Sequence, residues 1–410
     1  MNLKKQIFTM LRIVIILLVW VVIITLSGCD THKSSEQTPL SDFKDNVFDF
    51  PHGDVTSLFV VALEDTHESY IGQIRELLFD DEYIFVLDGN TTSFLVFDIK
   101  GKFQARISAV GRGPGEYSQG IRSFDLDRVR KEIIIYDYHQ RKLIRYTYGG
   151  QFLSENRLVD YRGMEFAYIG SDQYVFRLHM GDYEIVVTDS IGNILSVPHP
   201  RERKYDSLLH FPRSPFFAKT CSGIPYYIPM WDDKIYSVTP DGVLIVEDFG
   251  LKNEMLTDEN DISIFKREVD RMLQRNYTGP AGRIRRYSFF RELVVDSANN
   301  YYVKNAFLDQ THTMLLVAGQ FGEGVFEYGR DPDYLTSYTF SPGDTTIRGD
   351  IISSITDTLT VNWHPRGSYR DMFVIAVSRG TIRRNYPLLY NSLSDTTSNN
   401  PHLLFYKTIF

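Results

Sequence analysis

Residues 74–88 read IRELLFDDEYIFVLD, and residues 290–304 read FRELVVDSANNYYVK. Each stretch is a short apolar run, an Asp-led polar turn and a second run of aromatic and β-branched residues, which is the composition of two strands joined by a hairpin. The first copy continues into a third run, Ser93–Phe97, a tight turn at Gly101 and a fourth run, Lys102–Ile107. Four short strands joined by hairpins form one blade of a β-propeller.

Outward from this blade the unit recurs. Residues 121–156 supply Ile121–Leu126, Glu132–Asp137, Lys142–Tyr146 and Gln151–Leu153. A third copy has Phe166–Ile169, Tyr174–Phe176, Ile185–Val187 and Ile194–Val197, and a fourth has Pro225–Ile228, Lys234–Val238 and Val243–Val246. The turn glycines Gly101, Gly150, Gly192 and Gly242 return at the spacing of four-stranded blades, and each supplies the positive φ a tight hairpin needs. A parallel solenoid has shorter, less punctuated repeats. The fifth copy comes late because residues 254–278 intervene. There Ile262, Phe265, Val269, Met272 and Leu273 fall on one helical face, with acidic residues in the first turn. A sixth, irregular unit is placed at about residues 338–366 to close the ring. The expectation is an all-β, six-bladed β-propeller of four-stranded antiparallel blades over residues 53–410, with one inserted amphipathic helix. Ser57–Ala62 and His402–Tyr406 are expected to pair as its clasp, because a closed ring leaves no open edge there.

The N-terminus carries Lys4, Lys5 and Arg12, then an apolar run from Ile13 to Ile24, then Ser27 and Gly28. This is the order of a secretory signal peptide, and the run is shorter than the roughly 20 apolar residues of a membrane span. Leu26-Ser-Gly-Cys29 matches the bacterial lipobox, which implies cleavage before Cys29 and lipid attachment through its sulfur. Acyl chains contribute about 0.8 kcal/mol per buried CH₂, so the membrane is the expected partner. Residues 29–52 then form a polar tether. With two cysteines and one lipidated, Cys221 has no intrachain disulfide partner and reads as a small buried apolar residue.

The 43% hydrophobic and 14% aromatic content excludes wholesale disorder. Losing residues 1–28 removes three cations and no acid, taking the formal charge from −8 to about −11. That charge lacks the basic footprint of a nucleic-acid binder.

Gly111-Arg-Gly-Pro-Gly-Glu-Tyr117 follows the last strand of the first blade, and Asn399-Asn-Pro-His-Leu-Leu-Phe-Tyr-Lys407 closes the chain. With the lipobox and the blade pattern, these motifs resemble the six-bladed β-propeller lipoproteins of the Bacteroides group, over nearly the whole mature chain. The resemblance implies a propeller in the cell envelope, lipid-anchored to the outer membrane. It implies no catalytic residue and no substrate.

In a blade of four strands, the loop between blades and the turn joining the second and third strands lie on one face, around the channel mouth. This places Arg112, Glu116 and Tyr117 there, with Asp137, His139 and Arg141 from the second blade and Trp231 and Asp232 from the fourth. Asp88, Asn90, His179, Asp182, Asp309 and His312 occupy similar turns. Each has a bland reading. Asp88 and Asp137 suit turn caps, the glycines of 111–115 suit a chain reversal, Arg112 and Glu116 suit a pair across the loop, and the histidines lack metal-ligand spacing. Trp231 beside Asp232 suits a sugar or peptide platform as well as partial burial. Two functions follow: a binding or scaffold module for a glycan, peptide or protein partner, or a hydrolase in which carboxylates and amides converge on calcium, as in lactonase-like propellers. Binding is the preferred expectation, since a fold alone warrants no chemistry.

Overall fold

The computed structural model describes residues 55–158, 163–178, 182–200, 216–229, 232, 234–248, 259–260, 262–263, 287–298, 301–308, 315–317, 326–327, 339–340, 365–385, 390–391, 393 and 398–408. The expected signal sequence, Cys29 and the tether lie outside them. No helix among the described residues is long and apolar enough to cross a membrane.

Strand β1 (Val55–Ala62) precedes blade one, which is β2 (Ile74–Phe79), β3 (Tyr83–Asp88), β4 (Ser93–Asp98) and β5 (Phe103–Ile107). Blade two is β6 (Phe124–Asp127), β7 (Glu132–Asp137), β8 (Lys142–Thr147) and β9 (Phe152–Arg157). Blade three is β10 (Gly163–Gly170), β11 (Gln173–Leu178), β12 (Tyr183–Thr188) and β13 (Ile194–Pro200). Blade four is β14 (Ala218–Lys219), β15 (Pro225–Tyr227), β16 (Lys234–Thr239) and β17 (Gly242–Asp248). Then come β18 (Tyr287–Val295), β19 (Tyr301–Leu308), β20 (Leu315–Val317), β21 (Phe326–Glu327) and β22 (Thr339–Phe340). The last elements are β23 (Gly367–Tyr369), β24 (Met372–Val377), helix α1 (Arg379–Asn385) and β25 (His402–Thr408).

The clasp is as expected. β1 pairs antiparallel with β25, from Ser57 opposite Lys407 to Ala62 opposite His402, and the sheet continues through β24 to β23. Ser398 and the first two residues of the closing motif stitch this blade to the chain entering blade one. Asn400, fully buried, accepts from Ile71 N at 2.8 Å and donates from Nδ2 to Glu64 O and Ser69 O at 2.7 and 2.8 Å. Ser398 Oγ donates to Leu63 O at 2.9 Å, and Asn399 donates twice to Asp65 Oδ2.

The blade count is corrected. Among the described residues five four-stranded blades are formed, blades one to four and the clasp, where six were expected. The fifth repeat is a branched five-stranded sheet, β18-β19-β20-β21 with β22 also on β19. The eight-residue β19 has more edge than β20 covers. β20 takes Asn305–Phe307, and the backbone groups of Tyr301 and Tyr302 are taken by Phe340 and Thr339. The strand described within the unit expected at residues 338–366 therefore finishes an existing sheet and starts no blade. Of residues 254–278 only Glu259, Asn260, Ile262 and Ser263 are described, in helical conformation and with Ile262 buried, and the rest of the expected amphipathic face lies outside the described residues. The helix given in full is the seven-residue α1, between β24 and β25, with Ile382 buried beneath it.

Burial follows from stacking blade on blade. The middle strands β3, β4, β7 and β8 are buried at nearly every position, since neighbours cover both faces. The outer strand β9 is exposed almost throughout. The core lies between blades: Phe94 packs edge-on to Tyr117 and Phe124 at 5.5 and 5.3 Å, and Tyr136 to Phe166 and Phe176 at 5.6 and 5.1 Å. Each such ring contributes roughly 1.5–3 kcal/mol on burial. Gly101 shows why the hairpin glycines matter. It has φ +87°, and a Cβ there would lie 2.2 Å from Ala62 O.

Candidate functional site

The inner strands of neighbouring blades are joined by carboxylates that accept main-chain N–H groups. Glu76 on β2 accepts from Phe124 N at 3.0 Å, Asp125 on β6 accepts from Tyr168 N at 2.8 Å, and Glu165 on β10 accepts from Phe216 N at 2.6 Å. Each links one blade to the next. Lys219, on the inner strand of blade four, reaches the other blades. Its ammonium donates to Glu76 Oε1 and Ser123 Oγ at 2.8 Å each and to Phe124 O, and it sits 5.3 Å from the centre of the Phe166 ring. Burial raises the Glu76 carboxyl above its ordinary value against the opposing pull of Lys219, and burial likewise raises Glu165. With three oxygen acceptors around its side-chain nitrogen, Lys219 acts as a brace among the inner strands.

Most of the residues expected at the channel mouth are tied into one structural unit. Glu116 folds back to accept from Gly113 N at 2.7 Å. A Cβ on Gly111 would lie 2.0 Å from that carboxylate, so a side chain there would displace Glu116 from its bond to Gly113 N. Tyr117 is fully buried, donating to Ile107 O at 2.9 Å and accepting from Ala109 N at 3.2 Å, and burial pushes its phenol up. Lys142 bonds Gly113 O and Glu155, Gly115 N donates to Glu155, and Tyr146 Oη donates to Gly115 O. Asp137 accepts from Ser118 N and Oγ at 2.7 and 2.8 Å and from His139 N and Gln140 N at 2.9 Å. Asp88 serves blade one in the same way, accepting from Gln73 N, Asn90 N and Thr91 Oγ1. Both aspartates are turn caps that also hold the incoming loop.

The loop and the β7–β8 turn thus come together through Ser118–Asp137 and through Gln140 Nε2, which donates to Gly111 O at 2.8 Å. Arg112 is exposed at the loop tip, and Arg141 holds φ +54° at the turn's end. Asp232 lies apart on blade four, accepting from Tyr236 Oη at 2.8 Å. Trp231, His179, Asp309 and His312 lie outside the described residues. His139 is the expected residue that lines a described cavity, a recess of about 50 Å³ with Gly120, Ile121, Arg122, Ser123, Tyr136 and Tyr138. Ser123 joins this recess to the brace. Glu76, Glu165 and Lys219 were not anticipated; the signal was a charged residue inside an otherwise apolar first strand, visible in the shared Arg-Glu of residues 75–76 and 291–292. Among the described residues no three Asp, Glu, His or Cys side chains gather as a metal set, so they do not fit a calcium centre.

Stacked four-stranded blades about common inner strands, closed by a strand from each end of the chain, define a β-propeller. Residues 55–315 match the family described as domain of unknown function DUF4934, and the chain belongs to that family. No curated protein matches it. Among solved structures, it is similar to a "Putative exported protein" from Bacteroides fragilis, with 15% identity and a TM-score of 0.54 over 86% of this chain and 95% of the other. It is also similar to a member of the duf4221 family from Bacteroides vulgatus, with 10% identity and a TM-score of 0.49 over 87% and 97%.

Proposed function

We propose that the protein is an exported, lipid-anchored propeller at the outer membrane that acts as a binding module, taking a glycan, peptide or protein partner at the mouth between the 111–117 loop and the β7–β8 turn. Export is supported by the signal sequence and lipobox pattern, and by the likeness to the Bacteroides fragilis protein. The observation that carries the binding reading is the recess beside His139. At about 50 Å³ it is well below the roughly 300–1,000 Å³ of a site that swallows a small molecule. It suits one anchoring group of a larger partner lying across the mouth. Tyr138 and His139, their rings 5.4 Å apart, offer an aromatic rim, and exposed Arg122 offers a charged donor.

A glycan microarray and a displayed peptide library, probed with the full-length protein, test this. The expected result is a class of hits weakened at least tenfold by Tyr138→Ala or His139→Ala. Hits indifferent to both substitutions, or no hits in either format, refute the assignment of the mouth.

A further inference from the structure

The other end of the inner strands holds a larger cavity, about 380 Å³, enclosed by the β6–β7, β10–β11 and β14–β15 turns with Pro240 of blade four. That volume is within the range of small-molecule sites. We propose that it binds a small organic monocarboxylate with an apolar body, its carboxylate on Arg128.

The argument starts from the four cations clustered on and behind the β6–β7 turn. Arg130 is matched to Asp172 at 2.7 and 3.1 Å, Lys131 to Asp80 at 3.1 Å, and Arg145 to Glu132 at 2.6 Å and Asp172 at 2.9 Å. Arg128 differs. Its side chain is 15% exposed, yet its nearest carboxylate oxygen, Asp125 Oδ1, is 3.8 Å away, and Asp125 already accepts from Leu126 N and Tyr168 N. The guanidinium reaches two neutral carbonyls instead, Leu126 O at 3.3 Å and Phe79 O at 3.2 Å, while Nε is buried with no acceptor. Held by two neutral carbonyls and one long ion pair, the Nη groups keep further N–H donors, and a carboxylate is the acceptor that such donors take most strongly.

The rest of the cavity sets the ligand's body. Gly223 faces Arg128 with φ +83°, and a Cβ there would stand 3.5 Å from Nη1, so the wall opposite the fork is bare main chain. Ile224, Val238 and Pro240 supply apolar surface, and Val129, 94% exposed, stands at the tip of the turn. Bare inorganic anions would leave this apolar surface uncovered.

Calorimetric titration of the full-length protein with hexanoate, cyclohexanecarboxylate, hexanamide and inorganic phosphate tests the proposal. Hexanoate or cyclohexanecarboxylate is expected to bind saturably and hexanamide to fail; the tighter of the two acids shows whether a linear or a cyclic apolar body fits the cavity. Arg128→Lys, which keeps the charge and loses the fork, is expected to weaken binding at least tenfold. Because Arg128 also bonds Phe79 O, Val129→Glu is the second variant; it alters an exposed side chain and sets a competing carboxylate at the rim, with the same loss expected. Failure of both acids to bind, binding of hexanamide as tight as hexanoate, phosphate binding in preference to both acids, or affinity unchanged in both variants overturns it. The 111–117 mouth plays no part in this experiment, so its outcome is independent of the function proposed above.

Discussion

At Asn400 a single amide satisfies one main-chain donor and two main-chain acceptors from the segment that enters blade one. Replacing it with Asp removes both donors and sets a carboxylate against Glu64 O and Ser69 O. The expected loss is about 2–3 kcal/mol, the scale of buried groups left unsatisfied, read as a lower urea midpoint with an unchanged slope. Lys219 makes a sharper case. Lys219→Met leaves the Glu76 carboxylate buried without its cation, and breaking one side of such a pair costs roughly 3–5 kcal/mol. Burial already raises Glu76 above its ordinary value in the folded protein, and losing Lys219 raises it further. The folded state then holds that proton more tightly than the unfolded state, so stability falls as pH climbs from the unfolded carboxylate value through the folded one. The deficit against wild type is therefore expected to be smaller at pH 5 than at pH 8. An equal deficit at both would mean that Glu76 is not the group left stranded. The double variant Glu76→Gln with Lys219→Met is expected to recover most of the loss.

At the scale of elements, the clasp is the test of how the ring is held. β25 is paired on both edges, to β1 and to β24. Removing residues 400–410 strips both partners at once, and the expected result is loss of the cooperative transition in calorimetry, in place of a small shift in its midpoint. Retention of a sharp transition near the wild-type temperature counts against ring closure as the source of stability. Much of this level was legible in the sequence. Apolar and aromatic runs punctuated by Gly101, Gly150, Gly192 and Gly242 marked the strands of blades one to three and the outer three of blade four, and the apolar His402–Tyr406 marked the closing strand; the two-residue β14 was too short to leave a pattern. The branched sheet was not legible, because sharing of one edge of β19 by β20 and β22 depends on strand lengths that hydrophobic pattern does not encode. In the 111–117 loop, the motif was visible but its purpose was not. Glu116 and Tyr117 are both exposed-looking neighbours of three glycines, and only the folded chain shows that one caps the loop while the other is buried beneath it.

Over the whole molecule, the same logic of joining blade to blade runs from the carboxylates of Glu76, Asp125 and Glu165 to the brace at Lys219 and the stitching at Asn400. The proposed lipid anchor belongs to this scale as well. Cys29→Ser is expected to move the protein from the membrane to the soluble fraction or to stall its processing, and membrane fractionation with an unchanged mass would contradict anchoring at that residue. The clasp also bears on timing. The two strands that lock the ring are about 350 positions apart, Ser57 against Lys407, and β25 leaves the ribosome after every other described strand. Non-local pairings form late and slowly, so the ring cannot shut before β25 is made. For a polypeptide that is threaded through a translocation pore, this closing strand works as a delay: the thread stays slack until β25 is through, and only then does it tie.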